Sequence, residues 1–124
     1  MTKRILCALL LFLFLFNTES RELLQVAGDF EGIDGYTYYR FLISEDEYAE
    51  IVRISSGGIS VEEVLSRLDV KVVRYEEIGE TRVFFGYVAG LSGLYILDGA
   101  PINLQIADNG GYIILGSPYI PDGF

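Results

Sequence analysis

Three short turn signals divide residues 70–117 into apolar runs, and they constrain the fold more than any other feature of the chain. They are Gly79-Glu80, Asp98-Gly99 and Asn109-Gly110. Asp-Gly and Asn-Gly suit two-residue hairpin loops, because both turn positions of such a loop need positive φ. The runs between them alternate apolar and polar residues, as strands with one buried face do. This part of the chain is therefore predicted to form antiparallel strands.

The predicted strands are short, rich in β-branched and aromatic residues, and bounded by turn residues. They cover residues 37–43, 70–78, 81–89, 94–97, 102–107 and 112–116. Residues 102–107 are predicted to form one continuous strand, in which apolar residues alternate with Asn103 and Gln105.

Two capping boxes between the first and second strands predict two short helices, because a serine and a glutamate three residues later can satisfy the free amides of a helix start. The boxes are Ser44 with Glu47 and Ser60 with Glu63, and apolar residues recur after each at helical spacing. The predicted fold class is α+β: one or two short helices packed on one face of a mainly antiparallel sheet of about five strands.

The amino terminus has the pattern of a secretory signal. A cationic start with Lys3 and Arg4 precedes an unbroken apolar run at residues 5–16 and a polar stretch with small residues. A membrane span needs about 20 apolar residues, so the shorter run favours a cleaved signal over the alternative, an uncleaved anchor. The predicted organisation is a signal peptide at 1–20, a loose acidic lead-in at 21–36 and a single α+β domain at 37–124. Either alternative predicts a secreted or extracytoplasmic protein.

The side chains that carry most catalytic and metal chemistry are missing from the sequence after residue 20. The chain has no histidine and no tryptophan, and its single cysteine, Cys7, lies in the apolar run. This composition argues against histidine-dependent nucleophilic catalysis and against the usual zinc and haem ligands. We therefore expect no cofactor, no catalytic residues and no enzymatic activity.

The charge of the chain favours some partners over others. The net charge is −9, and removal of residues 1–20 would leave seven basic and seventeen acidic side chains. Such a surface repels a phosphate backbone, so nucleic acid is not expected as a partner. Basic protein partners in the cell envelope are favoured, and the alternative is that the charge serves solubility alone.

Two groups of carboxylates leave further functions open. Glu76, Glu77, Asp98 and Asp108 could serve a carboxylate-dependent hydrolase acting on wall glycan, although acids at predicted strand ends and turns are usually solvated. Asp29, Glu31 and Asp34 partly match a calcium loop, but Ile33 occupies a ligand position and Arg40 stands at the twelfth position in place of a bidentate glutamate. The sequence favours a binding or scaffold protein over both.

Aromatic residues on two predicted strands are the candidates for an interface, because exposed tyrosines favour protein recognition. They are Tyr38, Tyr39, Phe84 and Tyr87. The alternative is that the aromatic residues on one face of each strand pack in the core, while those on the other face cover the back of the sheet.

The last third of the chain resembles a known family. The segments INLQIA (102–107) and IILGSPYI (113–120) resemble the C-terminal end of the YwmB-like family, and the order of predicted elements is similar over residues 37–120. These are exported proteins of spore-forming bacteria with a TATA-box-binding-protein-like fold. The resemblance implies that fold and a role in sporulation or the cell envelope, but no catalytic or binding residues.

This chain departs from the family pattern in length and in charge. Family members carry two copies of the unit that residues 37–120 resemble, and this chain has room for one. This suggests a homodimer in which a second chain supplies the other half of the sheet across a twofold axis. The TATA-binding fold reads DNA through a cationic saddle, which an acidic chain cannot provide. The sequence therefore predicts an exported, non-enzymatic binding or scaffold module on the outer side of the cytoplasmic membrane.

Overall fold

The computed structural model of the chain describes Leu23, residues 36–55 and residues 58–123. The elements with defined bounds are β1 (Tyr36–Leu42), β2 (Tyr48–Ser55), α1 (Val61–Arg67), β3 (Lys71–Ile78), β4 (Thr81–Tyr87), β5 (Tyr95–Leu97), β6 (Ala100–Ile102), β7 (Leu104–Asp108) and β8 (Tyr112–Ser117). The predicted mainly antiparallel α+β domain with a short helix is confirmed.

Six strands form one antiparallel sheet in the order β1-β2-β8-β7-β4-β3, and β5 and β6 form a separate two-stranded hairpin. β8 joins the two halves of the sheet, because its Leu115 lies opposite Val52 on β2 and opposite Ile106 on β7. The turns predicted between β3 and β4, between β5 and β6, and between β7 and β8 are confirmed. Asp98 and Gly99 both adopt positive φ in the second of these turns, as its sequence predicts.

The main sheet is covered on both faces. The larger apolar cluster lies on the face that packs against α1 and includes the helical residue Leu23, which is fully buried. The smaller cluster lies on the opposite face and consists of Ala49, Ile51, Val83, Ala107, Ile114 and Ile120. We call this opposite face the back face.

Helix α1 begins as its capping signal predicts. The Ser60 hydroxyl accepts a hydrogen bond from the Glu63 backbone N–H at 3.2 Å, while Val61 and Val64 are buried against the sheet. The Glu63 carboxylate accepts a bond from Arg67 at 2.7 Å, one turn later in the helix. The cap and the packing together hold a helix that is too short to be stable alone.

The helix predicted to begin at Ser44 is wrong, because residues 48–55 form strand β2. In this strand Ile51 is buried on the back face, while Val52 and Ile54 are buried on the α1 face. A strand covered on both faces reads as a short continuous apolar run, which periodicity alone does not separate from a helix. The β-branched residues then favour the strand, because they pack well between neighbouring strands.

The serine and glutamate of the false capping box close a hairpin loop instead. The backbone N–H groups of Ile43 and Ser44 both donate to the Glu47 carbonyl, at 2.9 and 3.1 Å. The loop therefore turns β1 back into β2 and leaves the side chains of residues 44–47 exposed.

The continuous strand predicted at residues 102–107 is divided at Asn103 into β6 and β7. The buried Asn103 side chain accepts a bond from the Val88 N–H at 2.7 Å and donates to the carbonyls of Val88 and Leu91 at 2.8 and 3.2 Å. It thereby binds backbone groups in the segment that follows β4, where the Val88 carbonyl also accepts a bond from the Leu91 N–H at 3.3 Å. The chain leaves one hairpin and joins the main sheet at this point.

The carboxyl-terminal segment folds back over the sheet after β8. Ile120 packs directly over Gly116, where an added Cβ would lie 2.6 Å from the Ile120 side chain and 2.7 Å from the Tyr119 carbonyl. The Ile120 N–H donates to the Gln105 side chain at 2.8 Å, and the Tyr39 hydroxyl donates to Asp122 at 2.8 Å. These contacts hold the segment against the smaller apolar cluster.

The predicted signal peptide at 1–20 lies outside the described residues, as does the predicted acidic lead-in at 21–36 except for Leu23 and Tyr36. Within the described part of the chain, no helix has the length and apolar character that a membrane crossing requires.

Candidate functional site

An open cleft lies where the β1–β2 loop, the approach to β5 and the segment after β8 meet. It encloses about 380 Å³ and is lined by Ile43, Asp46, Glu47, Tyr48, Gly93, Leu94, Tyr95, Pro118 and Tyr119. Gly93 adopts a φ of 94°, and the Ser117–Pro118 peptide bond is cis. The Ser117 hydroxyl donates to the Ser92 carbonyl at 3.2 Å, which ties the approach to β5 to the end of β8.

Two acidic residues line the cleft. Asp46 and Glu47 follow each other in the β1–β2 loop, and both are exposed. Within the part of the chain that the structure describes, no lysine or arginine pairs with either carboxylate. These two negative charges are therefore available to a cation from outside the chain.

Aromatic and apolar side chains also line the cleft. The rings of Tyr95 and Tyr119 meet edge to face with their centroids 5.1 Å apart. Tyr48, Leu94 and Tyr95 are respectively 43%, 62% and 46% exposed. The cleft thus combines apolar contact area with negative charge, an arrangement that suits the aliphatic stem and cationic head of lysine or arginine.

The ring of Tyr48, which lines the cleft, already contacts a cation of the chain and belongs to a polar network. The Arg40 guanidinium lies 4.6 Å from the centroid of the Tyr48 ring. Its Nε donates to the Tyr38 hydroxyl at 3.1 Å, and that hydroxyl donates to the Glu50 carboxylate at 2.8 Å. Loss of hydration on burial, together with the bond to Glu50, raises the pKa of Tyr38 above its usual value.

The four carboxylates considered for catalysis are placed at several sites. Glu76 and Asp98 both contact the Arg74 guanidinium, whereas Glu77 accepts a bond from the Tyr75 hydroxyl at 2.7 Å. That bond raises the pKa of Tyr75. Glycoside hydrolysis needs two carboxyl groups that face one sugar, and the only pair brought together here faces an arginine.

Asp108 belongs to a structural ion-pair network that connects α1 to the sheet. Arg82 donates to Glu62 at 2.6 Å and to Asp108 at 2.8 Å. The hydrogen bond from Arg82 lowers the pKa of Glu62, and both carboxylates raise the pKa of Arg82. The network anchors the exposed side of the helix.

The four aromatic interface candidates do not form one surface. Tyr38 and Phe84 pack against the cluster on the α1 face, whereas Tyr39 packs against the back-face cluster. Burial, followed by the bond to Asp122, raises the pKa of Tyr39. Tyr87 is 38% exposed and lines a second depression with Lys71, Val73 and Pro101.

The calcium candidates Asp29, Glu31 and Asp34 lie outside the described residues. Within residues 36–55 and 58–123, no group of three or more acidic side chains is arranged to hold a metal ion.

Sequence reasoning missed the cleft because its parts are distant along the chain. The capping box of Ser44 with Glu47 predicts a helix start, although the three acids Glu45-Asp46-Glu47 also fit a hairpin loop. No sequence pattern links Tyr95 to Tyr119, since only the return of the chain after β8 brings their rings together.

Comparisons with known proteins found no relatives for this arrangement. No family model matches the chain, and neither a curated protein nor a solved structure matches it.

Proposed function

We propose that this chain is an exported, non-enzymatic binding module of the cell envelope, and that its cleft receives a basic side chain of a protein partner. One observation carries the proposal: two exposed carboxylates without a partner among the described residues line the same cavity of about 380 Å³ as exposed tyrosine rings. The overall negative charge of the chain would attract the same class of partner.

The chemistry of the cleft supports a cation more than a neutral or anionic ligand. A cation within about 6 Å of an aromatic centroid is attracted by the ring, and Arg40 over Tyr48 already uses this interaction within the chain. Leu94 adds apolar area beside the rings. An arginine or lysine between apolar residues would therefore offer a positive charge to the carboxylates and apolar surface to the rings and Leu94.

A hydrolase acting on wall glycan finds less support. Its candidate residues point to separate partners, and Glu76 with Asp98 faces the Arg74 guanidinium. An open cleft lined by tyrosine rings and two loop carboxylates fits recognition better than bond cleavage.

A peptide titration tests the cleft. The protein is titrated with a blocked pentapeptide that has a central arginine between two leucines, and binding is followed by NMR at the tyrosine rings. We expect a Kd between about 0.1 and 1 mM, with the largest shifts at Tyr48, Tyr95 and Tyr119. Replacing the arginine by citrulline, which keeps the shape without the charge, should weaken binding at least about threefold.

Two matched variants distinguish the effect of the cleft carboxylates on peptide binding from the effect of the overall negative charge. The double variant Asp46→Asn with Glu47→Gln should weaken binding about two- to thirtyfold, since exposed ion pairs contribute about 0.2–1 kcal/mol each. The control, Glu77→Gln with Glu80→Gln, removes the same charge away from the cleft and should leave the Kd nearly unchanged. Equal losses in both variants would show that only overall charge acts, and the assignment of the cleft would then be wrong.

The proposed location outside the membrane rests on residues 1–20. We expect the native protein in the extracytoplasmic fraction, with an amino terminus near residue 21 when it is sequenced. Recovery of the intact amino terminus in the cytosol would contradict this part of the proposal without affecting the peptide titration.

A further inference from the structure

Strand β3 forms one edge of the main sheet. Among the described strands it pairs only with β4, and every residue of β3 except Glu76 is exposed. Four of its side chains are large and apolar, with exposed fractions of 38–53%: Val72, Val73, Tyr75 and Ile78. An edge of this kind is a template for another strand.

The charges of β3 are arranged so that the strand complements itself. Basic residues occupy its first half, at Lys71 and Arg74, and acidic residues occupy its second half, at Glu76 and Glu77. In an antiparallel pair of two β3 strands centred on Tyr75, Arg74 of each copy lies opposite Glu76 of the other copy. A pair centred on Arg74 would instead oppose two arginines, and one centred on Glu76 would oppose two glutamates, and like charges directly opposite are destabilising.

The faces of the sheet also agree in this register. Arg74 and Glu76 are both on the back face, because they lie opposite Phe85 and Val83 of β4. A twofold axis perpendicular to the sheet keeps back face beside back face, so opposed residues come from the same side. Arg74 already contacts Glu76 and Asp98 of its own chain, and the pairing would place a carboxylate of the other copy opposite each guanidinium.

We infer that β3 is the contact between two copies of this chain, paired antiparallel about Tyr75 into one continuous sheet. The bulge between Val72 and Arg74 limits the regular ladder, so the dimer is weak, with a Kd between about 10 µM and 1 mM. None of the described residues that line the cleft belongs to β3. Each dimer would therefore present two clefts, and a partner with two basic sites would bind more tightly through avidity.

Charge reversal tests this contact. The purified full chain is studied by sedimentation at concentrations from about 10 µM to about 1 mM, which span the expected Kd. The wild type should shift from monomer to dimer as the concentration rises. Arg74→Glu alone and Glu76→Arg alone should each weaken self-association at least about tenfold, because each opposes like charges. The control variant Arg67→Glu changes a charge on the exposed side of α1 and should dimerise as the wild type does.

Two combinations make the outcome decisive. The double variant R74E with E76R restores opposite charges and should recover the dimer. A mixture of the two single variants should form a heterodimer, because each supplies the charge that the other lacks. Circular dichroism confirms that each variant is folded. A monomeric wild type at 1 mM, or self-association that neither single reversal alters, would overturn the inference, and neither result bears on peptide binding in the cleft.

Discussion

Removing the Asn103 side chain should destabilise the domain far more than removing an exposed asparagine. Asn103 is 1% exposed, and its amide serves one backbone N–H and two carbonyls. Replacement by alanine leaves the Val88 N–H and the Leu91 carbonyl without the Asn103 side chain, while the Val88 carbonyl keeps the bond from the Leu91 N–H at 3.3 Å. An unsatisfied buried group costs about 1–3 kcal/mol, so we expect Asn103→Ala to lower the free energy of unfolding by about 3–5 kcal/mol.

Urea denaturation followed by tyrosine fluorescence measures this loss, since the chain has no tryptophan. With a slope of about 1–3 kcal/mol per molar urea, the midpoint should fall by about 1–5 M. Asn109→Ala is the matched control, because Asn109 caps an exposed turn through the N–H groups of Gly111 and Tyr112. It should cost less than about 1 kcal/mol.

A second substitution at the same position tests the hydrogen-bond pattern itself. In Asn103→Asp the carboxylate still accepts from Val88 but faces two carbonyl oxygens, so the folded state favours the protonated acid and the carboxyl pKa rises. A group with a raised folded-state pKa stabilises most below its unfolded value of about 4 and loses this contribution as the pH rises. The deficit relative to wild type should therefore grow from pH 4 to pH 7. Equal losses for Asn103→Ala and Asn109→Ala would refute the reasoning.

Three further results are expected. Gly116→Ala forces a methyl group against Ile120 and should lower the free energy of unfolding by about 1–3 kcal/mol in urea denaturation; no loss would show that the terminal segment is not packed there. Ser60→Ala removes the cap that accepts from Glu63 and should cost about 1 kcal/mol in the same assay, with Ser60→Asp as the variant that retains stability. Because burial raises the pKa of Tyr38, its neutral form is favoured in the folded state, so its contribution to stability is present below pH ~10 and is lost as the pH rises through the folded value. The pKa values of Tyr39 and Tyr75 are raised as well, so ultraviolet titration should show a group of late-ionising tyrosines that is smaller by one in Tyr38→Phe; an unchanged titration curve would contradict this.

Local signals predicted those elements in which a single interpretation fits the residues. Ser60 and Glu63 define the start of α1 because no competing strand pattern follows them. At Asp98-Gly99 both residues of the hairpin turn adopt positive φ, whereas at Asn109-Gly110 only Gly110 does so. In such places the information lies within a few neighbouring positions, and tertiary contacts add stability without changing the conformation.

The wrong helix at Ser44 shows where local reasoning ends. Ile51 and Val52 fit both a helix stripe and a strand buried on two faces, and the decision depends on β1 and β8, which lie on either side of β2 in the sheet. The same holds for Asn103, whose role depends on backbone groups at the end of β4. The cleft is also a product of tertiary structure, because the rings of Tyr95 and Tyr119 meet only in the folded chain.

The strand that unites the sheet is the last described strand that the ribosome makes. Until β8 emerges, β2 and β7 each present an unpaired inner edge, and the hairpin of β1 and β2 has no link to the strands that follow α1. Pairing of segments so far apart in sequence is slow, because the intervening loop must close before the contacts form. We expect the nascent chain to remain open until synthesis is nearly complete, which would leave it available to a chaperone or a translocation channel that accepts only unfolded polypeptides.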